Sequence, residues 1–357
     1  MRFFRAPKKK KHEGLVGLDI GSSSVKVVEL KQCQDGYELV NLALDPLGQD
    51  VIVDGSIMDA PSVSAVIEKI FQENKIDHDH VAVSVSGHAV IVKRITIAAS
   101  DQRELEEAIQ REAAQHIRFD LADLSLSYHV LGPEPTGQGL DILLLAVKRE
   151  KLESHTGVLA QAGKVPMVVD IDAFALQNAF EVAYEPPPSQ TVALLNIGAS
   201  LMNINITRDG VPLFTRDVSV GGNQYTDILQ KELDLSFEDA EKLKQGKTLE
   251  RVPAEAEAPH LRSVTELVLL EIQKTFDFFR QTRPTDHIDA IYLAGGSARV
   301  QGLAPLLAAE FNLPVEVLNP FRKIHVDPSA FDPRYVEENA SRMTIAVGLA
   351  LRSFDAA

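Results

Sequence analysis

The chain has 357 residues, 45% of them hydrophobic, and 36 basic against 51 acidic side chains give it a formal charge of −15. A polyphosphate backbone repels so acidic a protein, which excludes a general nucleic-acid binder, while the length provides for two or three domains with real apolar cores. The single cysteine, Cys33, excludes an intrachain disulfide and a cysteine zinc cluster, and no apolar run approaches the ~18 residues of a membrane helix, so the cytosol is the expected compartment.

Residues 1–13 form a basic leader, with six basic side chains in MRFFRAPKKKK and no acid before Glu13. It lacks the apolar stretch of a signal peptide and reads either as a solvated tail or as an arm for anionic lipid or an acidic partner. Alternating apolar residues then predict strands at Val16 to Ile20, Val25 to Leu30 and Tyr37 to Ala43, a helix near Ser62 to Asn74 and a strand at Val81 to Ser86. Residues 90–162 predict strand, helix (Asp101 to His116), strand, strand (Ile142 to Lys148) and helix, an α+β insert inside a first lobe of 14–89 and 163–187. A strand at Val165 to Asp170 and a helix at Ala173 to Val182 resume the first pattern, and the stiff tract Pro186, Pro187, Pro188 marks the lobe boundary.

The second lobe, 188–334, opens with strands at Thr191 to Ile197, Leu201 to Thr207 and Val211 to Val218. Helices follow at Asn223 to Glu232 and Ser236 to Lys244, then a long one carrying Val264, Val268, Ile272, Phe276 and Phe279 at helical spacing. Pro253 to Pro259 reads as a loop. A strand at Ala290 to Leu293, a glycine turn, a helix at Leu303 to Phe311 and a Pro-rich return over Asn319 to Pro333 complete the lobe. Residues 335–357 are expected to pack back on the first lobe through a helix near Glu338 to Leu351.

One pattern occurs twice. Leu18-Asp19-Ile20-Gly21-Ser22-Ser23-Ser24 is echoed half a chain later by Leu195-Asn196-Ile197-Gly198-Ala199-Ser200-Leu201, as in a duplicated domain. In the first turn Gly21 permits close backbone approach, Ser22, Ser23 and Ser24 add hydroxyls, and the N–H groups can converge on a phosphate. Asp19 can hold Mg²⁺ directly or through water, and Lys26 can reach the same phosphates as a point charge. If the halves face each other, Asn196, Gly198, Ala199 and Ser200 clamp the phosphates from the far side. Gly295, Gly296 and Ser297, running into Val300, offer backbone for a ring and ribose to pack on. Gly221, Gly222 and Asn223 precede a helix, and Glu241 with Lys244 suits ribose hydroxyls or adenine edges. Taken singly, a Ser-Gly hairpin turn is more often structural, and Glu241 with Lys244 reads as a solvated ion pair.

In order, GLDIGSSSVKVVEL, DIDAFALQNAF, LLNIGAS, GGNQYTDIL with EDAEKLK, YLAGGSARVQGL and SRMTIAVGLAL resemble the phosphate-1, connect-1, phosphate-2, adenine-side, adenosine and connect-2 motifs of the actin-like ATPase superfamily, over Gly14 to Arg352. The resemblance implies an α/β, duplicated actin-like (ribonuclease-H-like) two-lobe fold with an FtsA-type SHS2 insert in the first lobe, binding ATP and Mg²⁺. With the insert, the basic leader and the NPF at Asn319 to Phe321, the chain most resembles the PilM family of type IV pilus assembly. That likeness implies a cytoplasmic adaptor, peripheral at the inner membrane, that docks the N-terminal peptide of PilN in a first-lobe groove and so joins a complex with PilN, PilO and PilP.

Departures from the family pattern matter for activity. Asn196 stands where many hydrolysing relatives carry aspartate, and Ala199 where many place glycine, so ATP hydrolysis is expected to be slow at most. A small-molecule phosphotransferase of the same fold would need another base, for which Asp172 is the candidate. An FtsA-like membrane-associated division scaffold would want an amphipathic C-terminal helix, and Ser353 to Ala357 is not one. His78-Asp79-His80 reads as solvated rather than metal-binding, and Gly246-Lys247-Thr248 fails as a P-loop because Glu241 holds the required glycine's place.

Overall fold

The computed structural model describes residues 4–5, 15–34, 36–98, 101–134, 139–253 and 255–354. Its elements in chain order begin with β1 (Phe4–Arg5), β2 (Val16–Ile20), β3 (Ser24–Cys33), β4 (Gly36–Pro46), β5 (Ile52–Val53), β6 (Ser56–Ile57), α1 (Ala60–Glu73) and β7 (His80–Val85). Next come β8 (Val90–Ile97), α2 (Gln102–His116), β9 (Leu124–Pro133), β10 (Leu140–Lys148), α3 (Arg149–Gln161), β11 (Val165–Ile171) and α4 (Asp172–Tyr184). The second half holds β12 (Thr191–Ile197), β13 (Met202–Arg208), β14 (Val211–Val218), α5 (Gly222–Leu233), α6 (Phe237–Lys244) and α7 (Ala258–Thr282). It ends with β15 (Ala290–Ala294), α8 (Leu303–Phe311), β16 (Val315–Val317), β17 (Ile324–His325), α9 (Pro333–Asn339) and α10 (Thr344–Ala350). No helix among the described residues is long and apolar enough to cross a membrane.

Two sheets share one plan. The first lobe orders β4-β3-β2-β7-β11 and the second β14-β13-β12-β15-β16, and in each the first two pairings are antiparallel and the last two parallel. The central strands, covered on both faces, read as apolar runs: Val16, Leu18, Val25, Val27, Val28, Val81 and Val83 are buried in one lobe, Ala193, Leu195, Ile204, Ile291 and Leu293 in the other. The internal echo in sequence is therefore a duplicated sheet with each glycine turn between its second and third strands. Of the basic leader, only Phe4–Arg5 is described. It pairs antiparallel with Val168–Val169 at the edge of β11, and the rest lies outside the described residues.

Behind the cleft, α4 and α10 cross so closely that a Cβ on Gly348 would press into the Ala175 carbonyl. Phe180, Leu176, Ile345 and Leu349 join Val192 and Leu194 of the second sheet in one core, which ties the lobes at their base. The expected closing helix is in fact two: Asp332 caps α9, which starts at Pro333, and a 3₁₀ turn over Ala340–Met343 separates it from α10.

The insert is β8, α2, β9 and β10, with a three-stranded sheet ordered β8-β10-β9 and a core of Leu105, Ile109, Leu124, Ile142 and Leu144. The helix expected to close it, α3, adds no residue to that core, though its Leu152 packs against the cluster of Leu143, Leu145 and Val147 on the other face of β10. Its Val158 and Leu159 enter the first-lobe core beside Ile67 and Phe71 of α1. That packing places the cleft-facing side of α3 against the first lobe.

Candidate functional site

The two glycine turns have the same construction. Gly21 donates its N–H to Ser24 O at 3.1 Å, and Gly198 donates to Leu201 O at 2.9 Å. Register then sets one cross-strand pair below each turn, Asp19 opposite Lys26 and Asn196 opposite Asn203. In the first lobe the pair is ionic, Lys26 Nζ to Asp19 Oδ2 at 2.8 Å. In the second it is an amide pair, Asn196 Nδ2 donating to Asn203 Oδ1 at 2.7 Å. Asn203 in turn donates to Asp217 Oδ1 at 2.9 Å.

Between the turns lies an open cleft, lined from one side by Asp19, Gly21, Ser22, Ser23, Ser24 and Lys26 and from the other by Asn196, Gly198 and Ala199. Asn223, Glu241, Lys244, Gly295, Gly296 and Ser297 line it as well, so most of the residues expected from sequence share one cavity. Ser200, Gly221, Gly222 and Val300 are not among its lining. Val300 is apolar and 5% exposed, and it packs in the second-lobe core with Leu303 and Leu307. The Gly222 and Asn223 N–H groups donate to Gly198 O at 2.9 Å and Ala199 O at 2.8 Å, and Gly221 N–H bonds Gln224 Oε1 at 2.8 Å, so this segment buttresses the second turn from behind.

Gly295 has φ +87°, and a Cβ there would press on the Ile197 carbonyl and come within 2.8 Å of Asn196 Oδ1. Only glycine lets this turn close against the second glycine turn. Glu241 and Lys244 are no solvated pair: Lys244 is buried, donates to Thr226 Oγ1 at 3.0 Å and is ion-paired with the Glu241 carboxylate. Burial lowers the Lys244 pKa, and the Glu241 carboxylate works against that. Phe237, Gln245 and Arg342 complete this end; the Arg342 Nε lies 3.4 Å from where a Cβ on Gly296 would sit. An aromatic side chain, a guanidinium and glycine backbone are the groups on which a flat ring can stack.

At the opposite end sit groups that local sequence patterns did not bring out: Gly55, Ser84, Lys151, His155 and Asn203, beside Asp172. Ser84 Oγ donates to Asp172 Oδ1 at 2.6 Å. Burial, then the Asp19 charge, pushes the Asp172 carboxyl up to about 6, with Ser84 holding it back. Lys151 is buried, its pKa lowered by desolvation and supported by the Asp172 and Asp217 charges. His155, on the same face of α3, is held neutral, its pKa lowered to about 3 by burial and by the Lys151 ammonium. No group of three or more His, Cys, Asp or Glu arranged for a metal occurs among the described residues. Two carboxylates, Asp19 and Asp172, line one cleft, and the Asp19 charge makes Asp172 harder to ionise. That donor set fits a magnesium ion held largely through water and phosphate oxygens.

The profile of the family described as "Type IV pilus assembly protein PilM" matches residues 17–354. Among solved structures, the chain is similar to the PilM-PilN type IV pilus biogenesis complex, with 26% identity, 96% of this chain and 99% of that chain covered, and a TM-score of 0.84. It is similar in fold to MreB 5 of Spiroplasma citri bound to AMPPNP (12% identity, 98% and 97% covered, TM-score 0.54). It also matches Ta0583, an archaeal actin homolog complexed with ADP (10% identity, 96% and 100% covered, TM-score 0.52). The two lobes are thus an actin-like ATPase fold.

Proposed function

The chain belongs to the type IV pilus assembly protein PilM family, and from that premise we propose that it is an ATP-binding adaptor of pilus assembly at the cytoplasmic face of the inner membrane. The observation that carries the nucleotide half is the pair of identically closed glycine turns on two sides of one cleft, Ser22, Ser23 and Ser24 of the first and Gly198 and Ala199 of the second lining it. In this reading the first turn and Lys26 hold the phosphates from one side and Gly198 and Ala199 from the other. Gly295, Gly296, Phe237 and Arg342 take the adenosine, with Glu241 and Lys244 beside it. Asp19 and Asp172 would hold Mg²⁺ through its water shell, and the ion would neutralise phosphate charge.

Turnover is expected to be slow. The Asn196 amide carries no charge and is committed to Asn203, so Asp172 is the carboxylate left to orient or deprotonate a water. The partner half rests on likeness to the PilM-PilN complex: the N-terminal peptide of PilN docks between the insert and the first lobe and links the protein to PilO and PilP. An extended peptide there has apolar neighbours in Leu131, Val92 and Val169, where the insert meets the first-lobe sheet.

Calorimetric titration with MgATP, MgADP and a synthetic PilN N-terminal peptide tests both halves. Saturable binding of nucleotide and peptide is expected, each changing the other's affinity by one common factor if the lobes couple them. Absence of nucleotide uptake at millimolar MgATP would remove the first half, and absence of peptide binding the second.

A further inference from the structure

Lys151 is an ammonium that is 9% exposed, on a helix whose buried apolar residues Val158 and Leu159 pack in the first-lobe core. A buried ammonium is tolerated only with compensating charge or hydrogen bonds. Here Asp172 and Asp217 supply charge, and the Gly55 carbonyl accepts a hydrogen bond from Nζ. Lys151 nonetheless lines the nucleotide cleft, close enough to Asp172 to feel its charge. With the adenosine taken by the Gly295 turn and the first phosphates by the two glycine turns, the side of the cleft at Asp172 is left for the last phosphate of a triphosphate.

The carbonyl it holds is at the tip of the β5–β6 hairpin, a two-residue turn in which Asp54 has φ 47° and Gly55 φ 74°, the left-handed pair that such hairpins require. That tip touches the opposite lobe. A Cβ on Gly55 would lie 3.0 Å from Leu201 Cδ1, and Leu201 is the residue whose carbonyl closes the second phosphate turn. One ammonium therefore reaches both the phosphate end of the cleft and a first-lobe loop resting on the second lobe.

A phosphate oxygen is a stronger acceptor for an ammonium than a neutral carbonyl, because the bond is charge-assisted on both sides. We propose that Lys151 is a sensor of the third phosphate: it binds the terminal phosphoryl group of a nucleoside triphosphate and releases the Gly55 carbonyl in doing so. A diphosphate does not reach it and leaves the hairpin tip held. This rests on the reading that the cleft binds adenine nucleotide, and it adds how the two nucleotide states are told apart.

The test compares MgAMPPNP and MgADP on the full-length protein and on Lys151→Met. The variant should lose about 10- to 100-fold in affinity for AMPPNP, as expected for one charge-assisted contact, and less than about 3-fold for ADP. Equal losses for both nucleotides, or none, would overturn the proposal while leaving nucleotide binding intact. Because removing a buried charge can unfold the variant, hydrogen exchange of the amides in residues 52–57 is followed in the unmodified protein. Faster exchange with AMPPNP than with ADP is expected, and identical exchange counts against the sensor. If the unmodified protein binds neither nucleotide, the sensor and the adenine-nucleotide reading fail together, a result distinct from equal binding of both.

Discussion

Gly87 donates its backbone N–H to the Asp217 carboxylate at 2.6 Å, joining the loop between β7 and β8 to the second lobe. Asp217 also accepts from Asn203, the amide paired with Asn196 in the second phosphate turn. Burial raises the Asp217 pKa, and these two donors oppose it. Asp217→Ala leaves both donors without their acceptor and should cost about 2–4 kcal/mol in urea unfolding, with Asp217→Asn losing roughly half as much. An alanine variant as stable as the parent would show that the lobes do not depend on this tie.

Gly295 and Gly296 are adjacent, and only one of them is locked. Gly295→Ala must place a Cβ against the Ile197 carbonyl at φ +87°, so about 3 kcal/mol of stability should go, and nucleotide binding with it. At Gly296 the nearest atoms belong to the flexible Arg342 side chain, 3.4 Å or more away, and Gly296→Ala should stay within about 1 kcal/mol of the parent. Thermal unfolding and nucleotide titration of the two variants check this contrast. Equal behaviour would mean that the turn is not held against the Ile197 carbonyl.

The duplicated sheet and the paired turns were legible in the sequence because both rest on local signals, apolar runs bounded by glycine and hydroxyl residues at a fixed spacing from Asp19 and Asn196. Glu241 and Lys244 were found by spacing on one helix face, but their burial was not, since it depends on Thr226 and Gly222 from another helix. Val300 was misread because a residue following a glycine turn can face cleft or core, and here the second-lobe core took it. The other half of the cleft was hidden. Lys151 and His155 reach it because α3 packs on α1, through Val158 and Leu159 meeting residues nearly a hundred positions away. Asn203 left no sign: β13 alternates Met-Asn-Ile-Asn-Ile-Thr like a strand with one solvated face, and only the fold buries Asn203 and Asn205.

Lys26→Met removes the ammonium 2.8 Å from Asp19 and, in the proposed binding mode, one donor to the phosphates. Affinity for ATP and ADP alike should fall about 10- to 100-fold, the range for a hydrogen bond to a charged group. This separates Lys26 from Lys151, whose loss is expected to discriminate between the two. Calorimetry that showed ADP affinity untouched in Lys26→Met would place the phosphates elsewhere.

Asp172 should make the protein less stable as pH rises. Its carboxyl is shifted from 3.8 to about 6, so the native state binds this proton more tightly than the unfolded chain does. Stability from this group is greatest below about pH 4 and is lost as pH climbs through 6, a cost of about 3 kcal/mol at neutrality. Asp172→Asn keeps an acceptor for Ser84 and has no charge to bury. In nucleotide-free protein it should exceed the parent in stability at pH 7.5 and converge with it near pH 4. Urea unfolding curves that keep a constant separation across this range would contradict the shift.

His155 acts with the opposite sign. Burial and the Lys151 ammonium bring its pKa from 6.5 to about 3, so the unfolded chain binds the proton between those values and the native state does not. Its contribution is fully present above about pH 6.5 and is lost on acidification at about 1.4 kcal/mol per pH unit, down to pH 3. Between pH 4 and 6 this slope runs against the one from Asp172 and nearly cancels it, so the two groups together should leave the parent protein almost flat there and falling below pH 4. Either single variant breaks the balance: Asp172→Asn should show the rising slope of His155 alone, and His155→Gln the falling slope of Asp172 alone. Loss of packing lowers His155→Gln by a pH-independent amount, which shifts its curve without tilting it. The measurement is the unfolding free energy at half-unit steps from pH 3.5 to 7. A His155→Gln curve parallel to that of the parent would show that the ring is not held neutral in the cleft.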